Sequence, residues 1–286
     1  MGQYKKLWYL LIAVLVVAFT LLGFAGREVY RHAPPFPSVV QTSSGEVLFT
    51  KDNILHGQTA WQSTGGMEVG SILGHGAYQA PDWTADWLHR ELSAWLDLTA
   101  QERFGTTYDK LTIENQAALR AALKAEYNEG GKPDANDRVT VSDTRAKAIK
   151  ETAKYYVALY GDDPAFATTR EHFAMKANTL AGESDRQDMT AFFFWTAWAS
   201  STNRPDTDAT YTNNWPHEPL IENVPTTENV IWSVVSIVVL LFGIGLMIWG
   251  YSWQKGHDEV KVPSADPLSR LSLTPSQKAL WKYVAL

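Results

Sequence analysis

The sequence predicts a mainly α-helical membrane protein, in which two transmembrane helices flank an outer helical domain with a small β element. Three observations lead to this fold class. Two long apolar runs lack any charged residue, the region between them repeats apolar residues with helical periodicity, and a short segment near residue 40 is rich in strand-forming residues. With 286 residues, the chain is long enough for one domain of ordinary size with accessory segments.

The composition excludes several classes of function. The net charge is −6 and no Lys/Arg-rich run is present, so a nucleic acid partner is not expected. Cysteine is absent, which excludes disulfides, thiolate metal sites and a covalently attached c-type haem. The twelve tryptophans fit either contact with a membrane interface or a large aromatic core.

The two apolar runs cover residues 7–24 and 230–249. Each is close to the length that crosses a bilayer core of about 30 Å, and aromatic residues mark their ends. A buried core helix is the alternative for either run. The first run could also be a cleaved signal peptide, since Lys5 and Lys6 precede it. It is longer than the roughly 7–15 apolar residues of a signal peptide, which favours a retained anchor.

Orientation follows from the basic residues beside the second run. No Lys or Arg lies between residues 205 and 229, whereas Lys255, Lys261 and Arg270 follow the run. The positive-inside rule therefore places both termini in the cytoplasm and the central region outside, in the periplasm of a host with two membranes.

The chain is thus predicted to have four parts. Residues 1–26 form a cytoplasmic N-terminus and the first transmembrane helix, residues 27–229 the outer domain, residues 230–253 the second transmembrane helix, and residues 254–286 a cytoplasmic segment with the start of a third, truncated helix. Because the last residues, SLTPSQKALWKYVAL, look like the beginning of a hydrophobic helix, we expect the N-terminal portion of a larger membrane protein. An amphipathic tail on the membrane surface is the alternative.

The outer domain is predicted to contain a hairpin and five helices. The hairpin covers residues 38–50, with its turn at Ser44-Gly45. Residues 202–229 are predicted to be an extended connection to the membrane. The fifth helix is expected from about residue 184 to residue 200, and the first four begin at capping residues, namely Thr50, Asp82, Thr112 and Ser142.

Local motifs for catalysis or cofactor binding are missing. None of the seven histidines belongs to a local zinc motif. The glycines match neither of two nucleotide-binding motifs, the dinucleotide-binding G-x-G-x-x-G and the P-loop G-x-x-x-x-G-K-[ST]. Acidic pairs on the predicted helices, such as Asp86 and Glu91, are expected to lie on solvated faces. Neither apolar run carries a histidine or a charged residue, so no proton relay or haem ligand is expected there.

The most unusual segment is the loop at residues 66–83, GMEVGSILGHGAYQAPDW. Its four glycines permit positive φ and leave backbone carbonyls accessible, and Tyr78 adds a hydroxyl. Oxygen ligands of this kind suit Ca²⁺, which makes calcium one hypothesis for the loop. His75 is expected to bond to the loop backbone rather than to act as a metal ligand.

Three segments of the chain carry a resemblance to a known family. They read GHGAYQAPDWTADWLHRE at residues 74–91, TAWASSTNRP at residues 196–205 and YTNNWPHEPL at residues 211–220. With them the chain resembles the N-terminal part of quinol-dependent nitric oxide reductase over essentially its whole length. The resemblance implies a periplasmic domain with a cytochrome c fold between two membrane helices, the second of which enters a catalytic bundle related to haem–copper oxidases.

The resemblance also aligns the loop with a haem-binding motif. In the related cytochrome c-dependent enzyme, a small subunit carries C-x-x-C-H-T-I-L-G-E-G-A-Y-x-A-P. Its two haem-attaching cysteines fall on Gly66 and Val69 of this chain, and its axial histidine falls on Gly70. All three ligands are replaced. The resemblance therefore implies an outer domain without haem, and electrons that come directly from a quinol in the membrane.

The same alignment suggests a shared calcium site. In the related small subunit a glycine carbonyl and a tyrosine help to bind calcium, together with a glutamate of the catalytic part and haem propionates. The matching positions are Gly76 and Tyr78, which would share calcium with the catalytic part. His75 replaces the glutamate that the related motif has between its two glycines, which leaves its role open.

The implied activity is the reduction of two NO to N₂O, in denitrification or NO detoxification, at the inner membrane of a bacterium. This segment would be non-catalytic and would cap and stabilise the catalytic bundle, with no cofactor of its own except calcium. Haem b, haem b3, the non-haem iron and the quinol site would belong to later helices. The second span would pack on that bundle or on a second copy of the chain, as a homodimer.

Two alternatives of other classes remain at this point. One is a two-span membrane receptor with a periplasmic binding domain, and the other is a haem-free accessory subunit that is complete as it stands.

Overall fold

The computed structural model describes residues 5–257. By their internal contacts, residues 1–229 and residues 230–286 form two units. The predicted start of a third helix lies outside the described residues.

Two long helices correspond to the predicted spans. Helix α1 covers Lys5–Arg31 and helix α8 covers Thr227–His257. Both are long and apolar enough to cross a membrane. None of the residues in their most apolar parts is buried against protein, so these apolar surfaces are available to lipid. Together with the helical domain between them, they confirm the predicted fold class.

A three-stranded sheet lies at the start of the outer domain. Strands β1 (Val39–Thr42) and β2 (Val47–Thr50) form the predicted antiparallel hairpin. A strand that was not predicted, β5 (Arg138–Val141), pairs in parallel with β1 and places Val139 opposite Val40. Both valines are fully buried, so this pairing attaches the hairpin to the core. A second, two-stranded sheet, β3 (Ser71–Ile72) with β4 (His75–Gly76), lies within the loop.

The predicted helices form where their caps indicate. Thr50, Asp82, Thr112 and Ser142 each accept a backbone N–H of the following turn, which satisfies donors that a helix start leaves open. A short further helix, α6 (Ala167–His172), was not predicted. The five predicted helices are α2 (Lys51–Ser63), α3 (Trp83–Phe104), α4 (Ile113–Asn128), α5 (Asp143–Tyr160) and α7 (Glu183–Ser201).

Helix α7 is the central helix of the domain. Its residues 189–201 are all buried, so it packs on every side rather than along one stripe. Helix α2 crosses it at Gly57, where an added Cβ would lie 1.9 Å from the carbonyl oxygen of Asp188. Further along α7, Trp195 donates to the carbonyl of Pro35 over 3.0 Å and stacks on Phe36 with ring centroids 4.3 Å apart. The segment that follows α1 is therefore fastened to the domain core.

The connection after α7 is folded rather than extended, which corrects the prediction for residues 202–229. Asparagine side chains bond to nearby backbone, as is typical of tight turns. Asn214 accepts from the backbone N–H of Thr210 over 2.9 Å, and Asn223 donates to the carbonyls of Ser200 and Pro216. Thr210 and Asn223 are buried, so this connection is part of the domain.

Candidate functional site

The loop at residues 66–83 is held in a compact shape by its own backbone. A single 3-10 turn at Gly66–Glu68 leads into β3 and β4. The N–H of Ala77 donates to the carbonyls of Met67 and Gly70 at 2.8 and 3.1 Å, and the N–H of Ser71 donates to the carbonyl of Pro81 at 3.2 Å. The two ends of the loop therefore lie side by side.

Asp82 connects this loop to helix α3 through one carboxylate. Its Oδ1 accepts the backbone N–H groups of Thr84 and Ala85 at 3.0 and 3.1 Å, as a helix cap does. Its Oδ2 accepts from the hydroxyl of Ser71 at 2.7 Å and from the N–H of Gly74 at 2.8 Å. With four donors on its two oxygens, Asp82 is a structural clamp rather than a free ligand.

The position aligned with an axial histidine, Gly70, is closed by Trp83. Gly70 has φ +80°, a backbone conformation that favours glycine. A Cβ added there would lie 2.5 Å from the indole nitrogen of Trp83 and 2.6 Å from the carbonyl oxygen of Pro81. The same indole N–H donates to the carbonyl of Val69 at 2.9 Å. A side chain at residue 70 therefore has no room while the indole is in place.

Aromatic rings also enclose Trp83 from the other side. Its indole is fully buried. It stacks on Phe193 at 6.0 Å, and it contacts three further rings edge-on at 5.7 to 6.3 Å, those of Tyr156, Tyr160 and Phe173. These contacts give the buried region beside Gly70 the close packing of an ordinary protein core.

The residues at the aligned positions do not fit a c-type haem. The chain has no cysteine thiol for a thioether bond, residue 70 has no imidazole for the iron, and the indole of Trp83 lies where a side chain at residue 70 would begin. No electron transfer step through a haem in this domain follows from these residues.

The two residues predicted to share a calcium ion lie on the exposed part of the loop. Gly76 is in β4, and the side chain of Tyr78 is 96% exposed. Within residues 5–257, no group of three or more histidine, aspartate or glutamate side chains is placed to hold a metal ion. The calcium site at Gly76 and Tyr78 therefore stays a prediction, because most of its ligands would have to come from outside this loop.

His75 lies next to this pair on the same exposed strand. Its Nδ1 is 2.9 Å from the carbonyl oxygen of Leu73, so the tautomer with a proton on Nδ1 donates to the loop backbone. This geometry is the backbone-bonded histidine that we expected.

The prediction that Glu91 lies on a solvated face was wrong. The side chain is 1% exposed, and its two oxygens accept from Arg145 Nε at 3.1 Å and from Trp87 Nε1 at 2.7 Å. The guanidinium of Arg145 lies 3.8 Å above the ring of Tyr127. Burial, followed by the negative charge of Glu91, raises the pKa of Tyr127 well above its ordinary value.

Asp86, the other member of that acidic pair, also has protein partners. Its Oδ2 accepts from the hydroxyl of Tyr156 at 2.7 Å and from Arg90 Nε at 2.8 Å. Burial and the charge of Asp86 raise the pKa of Tyr156 well above its ordinary value.

The burial of Glu91 could have been predicted from the sequence. The apolar residues at 87, 88, 92 and 95 share one helix face with Glu91, so the spacing of apolar residues along α3 places it on the buried side.

The comparisons with known proteins agree with the motifs in this loop. Residues 37–217 match the family model of the NorB cytochrome c-like domain, which is a domain of nitric oxide reductase. The match covers well over half of the chain, and it includes the loop and the whole outer domain from the hairpin to α7. A search among curated proteins returned no match. The chain therefore belongs to the NorB family of nitric oxide reductase and contains its cytochrome c-like domain.

Proposed function

We propose that this chain is the membrane anchor and haem-free outer domain of a quinol-dependent nitric oxide reductase. In this proposal it is not catalytic itself. It caps the haem-bearing bundle on the outer side and stabilises it. Family membership implies that the complete enzyme is an oxidoreductase that contains haem and lies in the membrane.

The observation that carries the quinol dependence is the closed position at Gly70. A cytochrome c donor passes its electron to an acceptor haem near the protein surface, and the aligned positions of this domain have no ligands for a c-type haem. The chain lacks cysteine, and Trp83 occupies the space beside residue 70. A donor dissolved in the membrane, a quinol, avoids the need for such a haem.

The reaction of the complete enzyme would be 2 NO + 2 e⁻ + 2 H⁺ → N₂O + H₂O. Each quinol supplies two electrons and two protons when it is oxidised to the quinone, so one quinol balances one turnover. Haem b, haem b3 and the non-haem iron would be held by helices other than α1 and α8, whose uncharged runs contain no histidine.

The experiment compares electron donors with the complete enzyme. We expect NO consumption, followed with an NO electrode, when a reduced ubiquinol or menaquinol analogue is the donor. With reduced cytochrome c the rate should stay at the level of the enzyme-free control. Fast turnover with cytochrome c and none with either quinol would refute the proposal.

The exposed part of the loop is proposed to dock on the catalytic bundle and to share calcium with it. The support is the exposure of Tyr78, a large aromatic residue that is 96% solvent-accessible in this chain. Tyr78→Phe, which removes the hydroxyl only, should weaken calcium retention by the complete enzyme, as measured by metal analysis after chelator treatment. Equal calcium content in the wild type and the variant would remove Tyr78 from the site.

We also propose the four-part organisation that the sequence predicts. In it, residues 27–229 lie in the periplasm and both termini lie in the cytoplasm. Because the chain has no cysteine, one introduced cysteine gives an unambiguous label. A cysteine at the exposed Ser43, in the hairpin turn and away from the proposed docking loop, should react with an impermeant maleimide in intact spheroplasts, and a cysteine at Lys5 should react only after lysis. The opposite pattern would invert the topology.

A further inference from the structure

We propose that Asp82 and Trp83 have taken over the structural role that a bound haem has in a cytochrome c domain. Trp83 fills the space beside residue 70, and Asp82 fixes the loop that presents Tyr78. Both are positioning residues, since neither contacts a reacting group. The inference uses the alignment of the loop with a haem-binding motif and does not depend on which donor feeds the enzyme.

The contacts of Trp83 are the evidence that its indole fills the space beside residue 70. A covalently bound haem would be attached at residues 66 and 69 and ligated at residue 70. The indole of Trp83 is placed against this stretch, with its N–H bonded to the carbonyl of Val69 and its ring next to Gly70. Four buried or half-buried rings pack against the other faces of the indole. One side chain thus joins the loop to the aromatic core.

The two carboxylate oxygens of Asp82 fix the loop by hydrogen bonds. Oδ1 caps the first turn of helix α3, and Oδ2 accepts from Ser71 in β3 and from Gly74 in the turn between β3 and β4. Because Asp82 and Trp83 are consecutive, the rigid first turn of α3 carries both contacts. The loop is therefore attached to α3 at Val69, Ser71 and Gly74. These contacts replace the thioether bonds and the iron ligand by which a c-type haem would hold the same loop.

The first test measures the loop directly in the full chain, purified in detergent, by hydrogen exchange. Asp82→Asn keeps a capping oxygen for α3 but replaces one carboxylate oxygen by an amide donor. We expect exchange at Gly74 to accelerate about tenfold or more, the scale of one lost hydrogen bond to a charged group. Thr112→Ala, which removes the cap of α4 without touching the loop, is the matched control and should leave Gly74 unchanged.

The same measurement separates a local effect from unfolding. Peptides from the buried part of α7 should keep their protection in Asp82→Asn, and Trp83→Phe, which keeps a ring but loses the N–H, should accelerate exchange at residues 69–71 only. Loop protection that stays at the wild-type level in both variants would overturn the proposal. So would equal acceleration in the Thr112→Ala control.

The second test asks whether the ligands alone restore a haem. The variant G66C/V69C/G70H is expressed as the full chain with a cytochrome c maturation system. We expect less than about one tenth of the chains to carry covalent haem by haem-stained gel and pyridine haemochrome spectrum, because the new histidine collides with Trp83 and must adopt φ +80°. Close to one covalent haem per chain, with wild-type helix content by circular dichroism, would show that Trp83 does not occupy the site.

Both tests are made without NO turnover. Covalent haem in the second test would remove the closed position at Gly70 as support for the quinol proposal, but the comparison of electron donors would still decide that proposal by itself. A failure of the quinol proposal would leave the expectations for the loop and for Trp83 unchanged.

Discussion

Two pairs of opposite charge join helices of the outer domain, and they differ in almost every physical respect. Glu91 of α3 and Arg145 of α5 are each 1% exposed. His56 of α2 and Asp188 of α7 lie at the surface, with the histidine side chain 56% exposed and 2.6 Å between Nδ1 and Oδ2. The buried pair cannot exchange its partners for water, whereas the exposed pair can.

Burial decides which of these two contacts tolerates a single substitution. A buried pair is not strongly stabilising in itself, but either member alone would be an unpaired charge in an apolar environment. The contact between α3 and α5 is therefore intolerant of single changes. The contact between α2 and α7 depends instead on the close approach at Gly57, and its ion pair adds a pH-dependent contribution.

The largest expected effect is that of Glu91→Ala. It leaves Arg145 without its carboxylate and Trp87 without its acceptor, so we expect the free energy of unfolding to fall by about 3–5 kcal/mol. The measurement is urea unfolding of the chain in detergent, followed by tryptophan fluorescence. Glu102→Ala, at an exposed position of the same helix, should change it by less than about 0.5 kcal/mol.

The double variant E91L/R145M sharpens this prediction. It removes both charges and fills the space with apolar atoms, so the part of the loss that comes from the unpaired charge of Arg145 should be regained, while the indole N–H of Trp87 still lacks its acceptor. If the double variant is as unstable as Glu91→Ala, the pair contributes to the free energy of unfolding by more than the neutralisation of its two charges.

The second expected effect is that of Gly57→Ala. The added Cβ would lie 1.9 Å from the carbonyl oxygen of Asp188, so α2 and α7 must move apart. Overpacking of this kind destabilises by about 1–3 kcal/mol, which urea unfolding would detect. Thr59→Ala, an exposed position on α2, is the control. If both variants unfold at the same urea concentration, the crossing of α2 and α7 has room for a methyl group.

The smallest expected effect is the pH dependence at His56. The hydrogen bond with Asp188 and the charges of Asp188 and Asp185 raise the pKa of His56 above its usual 6.5. Its stabilising contribution is therefore present below pH 6.5 and is lost as the pH rises through the raised pKa.

The measurement is the unfolding temperature between about pH 5.5 and pH 8.5, a range that brackets the histidine titration. His56→Ala should remove a small decrease that the wild type shows above pH 6.5, and His172→Ala, at an exposed position, should retain it. A pH profile of His56→Ala that is parallel to the wild type would assign the dependence to other groups.

Local features of this fold were predictable from the sequence, and non-local ones were not. Thr50, Asp82, Thr112 and Ser142 cap helices as predicted, because a cap depends on residues within one turn. Strand β5 was missed because its four residues gain their structure from β1, about one hundred positions earlier in the chain.

The same distinction applies to the site. The segment around Gly70 stood out in the sequence as a loop with an altered haem motif. Its filling by Trp83 was not predicted, since Tyr156 and Phe193 come from distant helices and only the folded chain brings these rings together. Glu91 was misplaced for a related reason, because its partner Arg145 lies 54 residues away.

The close approach of Gly70 and Trp83 has an evolutionary consequence. A glycine at position 70 leaves room for the indole, and the indole in turn excludes a histidine at position 70. Among relatives the two positions should covary, with histidine at the first accompanied by a smaller residue at the second. A domain that has fixed both the glycine and the tryptophan must change them together to become a haem protein again, so the loss of the cofactor is expected to be hard to reverse by single substitutions.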